Sequence, residues 1–323
     1  MKKILQSNRL NVILTGALAF SCFLLLLIRS DTAIEYMKKG LKLCAENVIP
    51  SLFPFMVISD ILVKSGVGQR LGSVIGRPFR WLFGVSENVA CAFILGLLCG
   101  FPVGAAALCG MYDQKQIGKG ELAAAMTFCN NPGSAFVISA VGVSLLGNRK
   151  AGMLLYLSVV LSAIAVGFFG RFLRKNKKSL SGDRAICVLE RKRSFLEIFT
   201  SAILNSASAM LTVCAYVTFF SSFVGCLGVI FERMGISGAI SAAIFGIFEI
   251  SGGVRAVSML ESPRLALLLC SAILGWSGIS VHLQIASVCR GRVDLRPYFA
   301  AKIAQSILCC LFAYGLVGIF DVL

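Results

Sequence analysis

Asn130, Asn131 and Ser134 flank Pro132-Gly133 inside an otherwise apolar run, and Ser251, Ser277 and Ser280 stand beside Gly252, Gly253 and Gly278 in two later runs. Amides, hydroxyls and exposed glycine backbone supply neutral hydrogen-bonding groups and close backbone approach, which is the chemistry of holding a small polar solute. Two charged residues share this setting: Glu249, within an apolar stretch, and Arg255, six positions later. Arg255 offers a planar donor array to a carboxylate. Glu249 offers a carboxylate that would carry a coupling proton, since ionisable groups inside a membrane are expensive and therefore functional candidates. The alternative is a Glu249–Arg255 ion pair that neutralises both charges. A separation of six does not place them on one helical face, but a hairpin tip between them would. His282, the single histidine, follows Gly278 by four residues and would either titrate or hydrogen-bond a ligand, or simply pack. Trp276 would stack on an aromatic ring or serve as an interfacial anchor. The thirteen cysteines are scattered singly apart from Cys309-Cys310 and match no metal-ligand spacing, so neither a metal nor a cofactor is expected.

These groups sit at four interruptions of lipid-soluble sequence. The first pair is Gly96 to Gly104, broken by Gly100, Pro102 and Gly104, and Phe128 to Ser134, broken by Pro132 and Gly133. The second pair is Gly246 to Gly253 and Leu274 to Ser280. Helix breakers are costly in hydrocarbon, which gives freed backbone groups no partner. They persist where the broken backbone lines a protein interior, and matched breaks in two halves point to a transport site. The start of each second half-helix would leave unpaired N–H groups that favour an anion. Glycines that only let helices pack are the alternative for any single position.

Composition agrees with a membrane chain: 57% of residues are hydrophobic and mean hydropathy is +0.86. Leu10 to Ile28 is uncharged and about long enough to cross ~30 Å of hydrocarbon. It is too long for a signal peptide and lacks a cleavage site after it, so it reads as a retained helix. The formal net charge of +16 falls between apolar segments, which suits topology rather than nucleic acid. Asp31 to Asn47 has the alternation of an amphipathic helix lying in the interface.

The fold expected is an all-α polytopic membrane protein with inverted structural repeats, broken helices and two re-entrant hairpins, six full spans in all. Residues 1–49 form an N-terminal span and interfacial helix, 50–147 a first repeat, 148–206 a connecting helix and basic loop, 207–288 a second repeat, and 289–323 a last span. Making the segments around Gly100–Gly104 and Gly252–Gly253 re-entrant puts the bases at 64–80, 115–119, 171–193 and 289–302 on the cytoplasmic side with the amino terminus. It also inverts one half against the other. Lys38, Lys39, Lys42, Arg149 and Lys150 stay outside.

Pro50-Ser-Leu-Phe-Pro-Phe55, Gly100-Phe-Pro-Val-Gly-Ala105, Asn130-Asn-Pro-Gly-Ser134 and Gly278-Ile-Ser-Val-His-Leu-Gln284, in this order, resemble the sporulation integral membrane protein family YlbJ. That family is part of the nucleoside-recognition, or Gate, group and is similar in outline to concentrative nucleoside transporters. The resemblance covers roughly residues 40 to 320. It implies a role in endospore formation, with dipicolinate, a flat aromatic dicarboxylate, moved out of the mother cell across the outer membrane around the forespore. No glutamate accompanies the first-half break, a departure from the acidic site residues expected of nucleoside transporters.

The expected function is therefore a carrier in the bacterial cytoplasmic membrane or outer forespore membrane, working on a small anionic solute. A nucleoside or other small solute is the alternative substrate. The expected partners are the solute, the lipid bilayer and further copies of the chain, not nucleic acid. A membrane enzyme with Glu249 and His282 as acid and base lacks a nucleophile–base pair, metal spacing or phosphate loop. A non-transporting assembly or sensing component of a spore membrane is the third class.

Overall fold

The computed structural model describes residues 2–65, 76–173 and 194–320. The basic stretch expected over 174–193, and Arg70, lie outside them. Among the described residues every regular element is helical. In chain order these are α1 (Lys2–Ile28), α2 (Ser30–Leu43), a π-helical turn (Cys44–Val48), α3 (Ile49–Lys64), α4 (residues 76–83), α5 (Val89–Cys99), α6 (Val103–Asp113), α7 (Lys119–Met126) and a π-helix (Ala135–Leu145). Then follow α8 (Arg149–Leu173), α9 (Phe195–Arg233), α10 (Ala239–Phe248), α11 (Ile250–Val257), α12 (Pro263–Trp276), α13 (Ile279–Cys289) and α14 (Arg296–Phe320).

Four helical stretches are long and apolar enough to cross a membrane: Arg149–Leu173, Phe195–Arg233, Pro263–Cys289 and Arg296–Ile319. A fifth results if Ile13–Ile28 and Ser30–Glu46, which meet at a 96° bend, count as one. The protein is thus a helical membrane protein with four or five candidate spans among the described residues, where six are expected over the whole chain. The shortfall has a physical cause: Val89–Cys99, Ala135–Leu145 and Ala239–Phe248 are apolar but stop short at the breaks.

α9 runs 39 residues from Phe195, so it starts within the stretch expected to connect the repeats, ahead of the second repeat at residue 207. Ser194 and Glu197 form a reciprocal cap at its amino end, which satisfies orphan donors and fixes the start. α2 lies across α9 through small contacts. Gly40 faces Thr218 and Ser221, and the Tyr36 ring fills the space beside Gly225. Ile34, Met37 and Leu41 of α2 remain exposed, the face an interfacial helix turns toward lipid.

The core is centred on the first half. Phe79, Phe83, Phe93 and Phe128 pack ring to ring, with Phe79–Phe83 and Phe83–Phe128 centroids 4.5 and 4.7 Å apart. Gly167 of α8 leaves no room for a Cβ because Phe83 and Phe128 lie against its backbone. This aromatic block anchors the last residues before the Asn130 break.

Candidate functional site

The glycines around the first break in each half place α5 against α6 and α10 against α11. Gly96 and Gly104 face one another across α5 and α6, with the Cys129 carbonyl pressed between them. Gly246 and Gly253 face one another across α10 and α11, with the Ile273 side chain against both. In both halves the wedge between the glycines comes from the residues just before the second break, Cys129 in one and Ile273 in the other.

Each hairpin tip also touches the second break of its own half. A Cβ on Gly100 would lie 2.6 Å from the Gly133 nitrogen, and one on Gly278 3.1 Å from the Ile250 nitrogen. Gly100 and Gly278 both hold φ of +86°, a left-handed value that glycine adopts without steric cost. Trp276 braces the second contact by donating its indole N–H to the Ile247 carbonyl at 3.1 Å.

The two halves meet along α6 and α13. Cys109 and Cys289 approach to 4.0 Å between sulfurs. One turn further on, Arg292 donates to both oxygens of Asp113 at 2.8 Å each. Asp113 holds the Arg292 guanidinium above its usual range by this hydrogen bond. The two contacts make α6 and α13 parallel and in register. Both helices are 11 residues long, roughly 16 Å at 1.5 Å per residue. Their amino ends, which begin at the breaks, therefore lie about half a ~30 Å bilayer from the shared end.

A third element reaches this level. α14 carries Tyr298, Lys302, Gln305, Cys309 and Ala313 on one face, all buried. The Lys302 ammonium donates to the Asn130 backbone carbonyl and, at 2.9 Å, to Gln305 Oε1. Gln305 Nε2 donates to Asn131 Oδ1 at 2.7 Å and reaches Ser162 Oγ at 3.5 Å. On its other side α14 packs on the second half, with the backbone of Gln305 and Ser306 filling the space beside Gly275. α14 thus ties the break of one half to the break of the other.

The residues singled out in the sequence fall into distinct places. Asn130 and Asn131 are fully buried; their amide nitrogens donate to the Met126 and Phe128 carbonyls at 3.1 and 2.8 Å. Asn130 Oδ1 has no hydrogen-bond partner. Ser134 is half-buried and donates to the Leu98 carbonyl. Ser277, at φ +79°, donates to the Leu274 carbonyl, and Ser280 is buried beside it. His282 Nδ1 lies 3.0 Å from the Tyr298 hydroxyl, while Nε2 is buried without a partner. The Trp276 ring stands edge-on to the His282 ring, 4.3 Å between centroids.

Glu249 and Arg255 are not brought together. Glu249 is buried and spends both oxygens on the amino end of α11, taking the Ser251 N–H at 2.9 Å and the Gly252 N–H at 2.6 Å. The orphan N–H groups expected to attract a ligand there are capped by the chain's own carboxylate. Arg255 is exposed near the other end of α11, and among the described residues no ion pair joins the two.

Lys302 and Gln305 escaped the sequence reading. Lys302 falls among the bases expected to be cytoplasmic, following Arg290, Arg292 and Arg296, yet it is 0% exposed. The signal that locates it is periodicity: 298, 302, 305 and 309 recur at the spacing of one helical face.

Apolar helices of membrane-spanning length, beside shorter apolar helices that stop at buried polar residues such as Asn130, Asn131 and Glu249, define a polytopic helical membrane protein. The comparisons agree with this class. The Gate family, described as nucleoside recognition, matches residues 45–149. The chain is similar to sporulation integral membrane protein YlbJ of Bacillus subtilis (strain 168), 26% identical over 337 residues, covering 94% of this chain and 82% of that protein. The resemblance carried by the Pro50, Gly100, Asn130 and Gly278 motifs therefore holds along most of the chain. No solved structure matches.

Proposed function

We propose that this chain is a membrane carrier for a small anionic solute, and that dipicolinate, moved from the mother cell toward the forespore, is its substrate. The observation that carries the reading is the repeated contact between a hairpin tip and the second break of its own half, Gly100 with Gly133 and Gly278 with Ile250. Unwound backbone is tolerated at membrane depth only inside protein, and carriers use it to bind solute between repeats.

The same contacts support re-entrant hairpins and inverted repeats. α6 and α13 run to one end of the molecule, where Asp113 meets Arg292. The α5–α6 hairpin would open at that end. Pro263–Cys289 is one span, so its α12 end lies opposite, and the α10–α11 hairpin would open there. Two hairpins entering from opposite sides and meeting at mid-depth suit alternating access, in which one repeat rocks against the other. Asn130, Asn131, Ser134, Ser277, Ser280 and His282 would then line the path.

Similarity to a sporulation protein supports the cellular setting, the outer forespore membrane. A nucleoside is the second reading, favoured by the description of the Gate match and by the neutral amides at Asn130 and Asn131. Uptake of labelled dipicolinate and of a labelled nucleoside into liposomes carrying the purified protein separates them. Saturable dipicolinate uptake is expected. Uptake of the nucleoside alone replaces the substrate, and movement of neither under proton or sodium gradients removes the carrier reading.

A further inference from the structure

Lys302 is the one lysine or arginine among the described residues that is fully buried, and no carboxylate pairs with it there. Its hydrogen-bond acceptors are neutral: the Asn130 peptide carbonyl and the Gln305 amide oxygen. Such acceptors seat an ammonium without cancelling its charge. A buried charge left uncancelled is expensive in protein and more so at membrane depth. Two further polar atoms nearby in the fold, Asn130 Oδ1 and His282 Nε2, are buried with no partner. His282 is held by Tyr298, one helical turn before Lys302 on the same face of α14. A buried lysine without a counterion, beside polar atoms without partners and at the unwound Asn130-Asn131 backbone, describes a subsite that its occupant completes.

Resting on the carrier reading, we propose that Lys302 recognises a carboxylate of the solute, and that Gln305 positions it. The assignment lies outside the segment matched by the Gate family, on the last helix. Gln305 fixes the ammonium through Oε1 and fixes itself through Nε2 to Asn131 Oδ1 and Ser162. A solute carboxylate supplies the missing negative charge and accepts the remaining N–H of the ammonium, which has three donors and two partners here. A neutral solute of the same shape supplies neither. Charge-assisted hydrogen bonds of this kind are roughly twice as strong as neutral ones, so the site selects acids over their neutral isosteres.

The test measures binding and transport separately on the purified full-length protein in nanodiscs and liposomes. The probes are dipicolinate, its neutral isostere 2,6-pyridinedimethanol, and uridine. Wild-type protein is expected to bind dipicolinate at least tenfold more tightly than the diol. Lys302→Met, which keeps the length of the side chain and removes its charge, is expected to abolish that preference while melting no lower than wild type. Gln305→Ala is expected to weaken dipicolinate binding with a smaller loss. Equal binding of diacid and diol by wild type overturns the assignment without reference to any variant. So does a folded Lys302→Met protein that binds dipicolinate as wild type does. Dipicolinate bound but never transported leaves the Lys302 subsite standing and removes the carrier. Uridine transported with no dipicolinate bound leaves the carrier standing and removes the subsite; if no probe is bound or moved, both fall.

Discussion

Gly246 and Gly253 meet backbone to backbone across the α10–α11 hairpin, so closely that a Cβ on Gly253 would stand 2.6 Å from the Gly246 nitrogen. The Gly96–Gly104 contact in the other half does the same work with the Cys129 carbonyl between its members. Gly253→Ala and Gly104→Ala should therefore each force the arms of a hairpin apart. Overpacking of this kind costs roughly 1–3 kcal/mol. Gly315→Ala, where no atom lies within 4 Å of the added methyl, should not lower the melting temperature, since alanine is the better helix former inside α14. Equal melting temperatures for all three proteins would refute the hairpin packing.

Cys109 and Cys289 test whether the two halves adjoin as described. Their sulfurs are 4.0 Å apart, so a small movement brings them to the ~2 Å of a disulfide. Mild oxidation of the protein in liposomes, followed by proteolysis and mass spectrometry, should recover a peptide linking positions 109 and 289. Cys109→Ser should abolish it. Absence of that linkage under conditions that oxidise other thiols would mean that α6 and α13 are not neighbours.

Glu249 separates a capping role from a proton-coupling one. Its two oxygens hold the Ser251 and Gly252 N–H groups, and loss of an N-terminal cap costs about 0.5–2 kcal/mol. Glu249→Ala should lower the melting temperature, while Glu249→Gln, which keeps one acceptor oxygen, should lose less. If capping is the whole role, uptake by the glutamine variant responds to an imposed proton gradient as wild-type uptake does. Loss of that response in a fully stable Glu249→Gln protein would restore the proton-carrying role.

The Asp113–Arg292 pair closes the end shared by the two halves. Both side chains are partly exposed, 49% and 26%, which limits such a pair to about 0.2–1 kcal/mol. A double-mutant cycle with Asp113→Asn and Arg292→Gln should return a coupling in that range that shrinks with added salt. Asp113 raises the affinity of Arg292 for its proton. The stabilisation is therefore present below the unfolded value of the arginine and is lost only as pH rises through the still higher folded value. Between neutral and mildly alkaline pH the coupling should stay flat. A coupling that declines over that interval would contradict the bidentate pairing.

Much of the architecture is legible in the sequence because its signals are local. Glycine, proline and asparagine inside apolar runs cannot continue a helix cheaply, so Gly100-Phe-Pro102, Asn130-Asn-Pro-Gly133 and Gly278 mark breaks wherever the rest of the chain goes. Gly104, Gly252 and Gly253, expected at the breaks, instead lie inside α6 and α11, and the chain opens at Glu249. The membrane class follows from hydropathy for the same reason. The number of spans is less legible, because an apolar segment of 11 residues reads alike whether it continues beyond a break or turns back.

What the tertiary structure alone decides is which groups at the breaks already have partners. Glu249 and Arg255, close in sequence, are parted because the carboxylate satisfies the start of its own helix. Lys302 and Asn130, separated by 172 positions, are joined because α14 packs between the halves. Lys302 looks like one more cytoplasmic base after Arg290, Arg292 and Arg296, since charge patterns record composition along the chain. Burial depends on the surface a neighbouring helix covers; the spacing of 298, 302, 305 and 309 marks a shared helical face but not what covers it. Local sequence chemistry set most of the places where the helices had to open; long-range packing brought Lys302 to the break at Asn130.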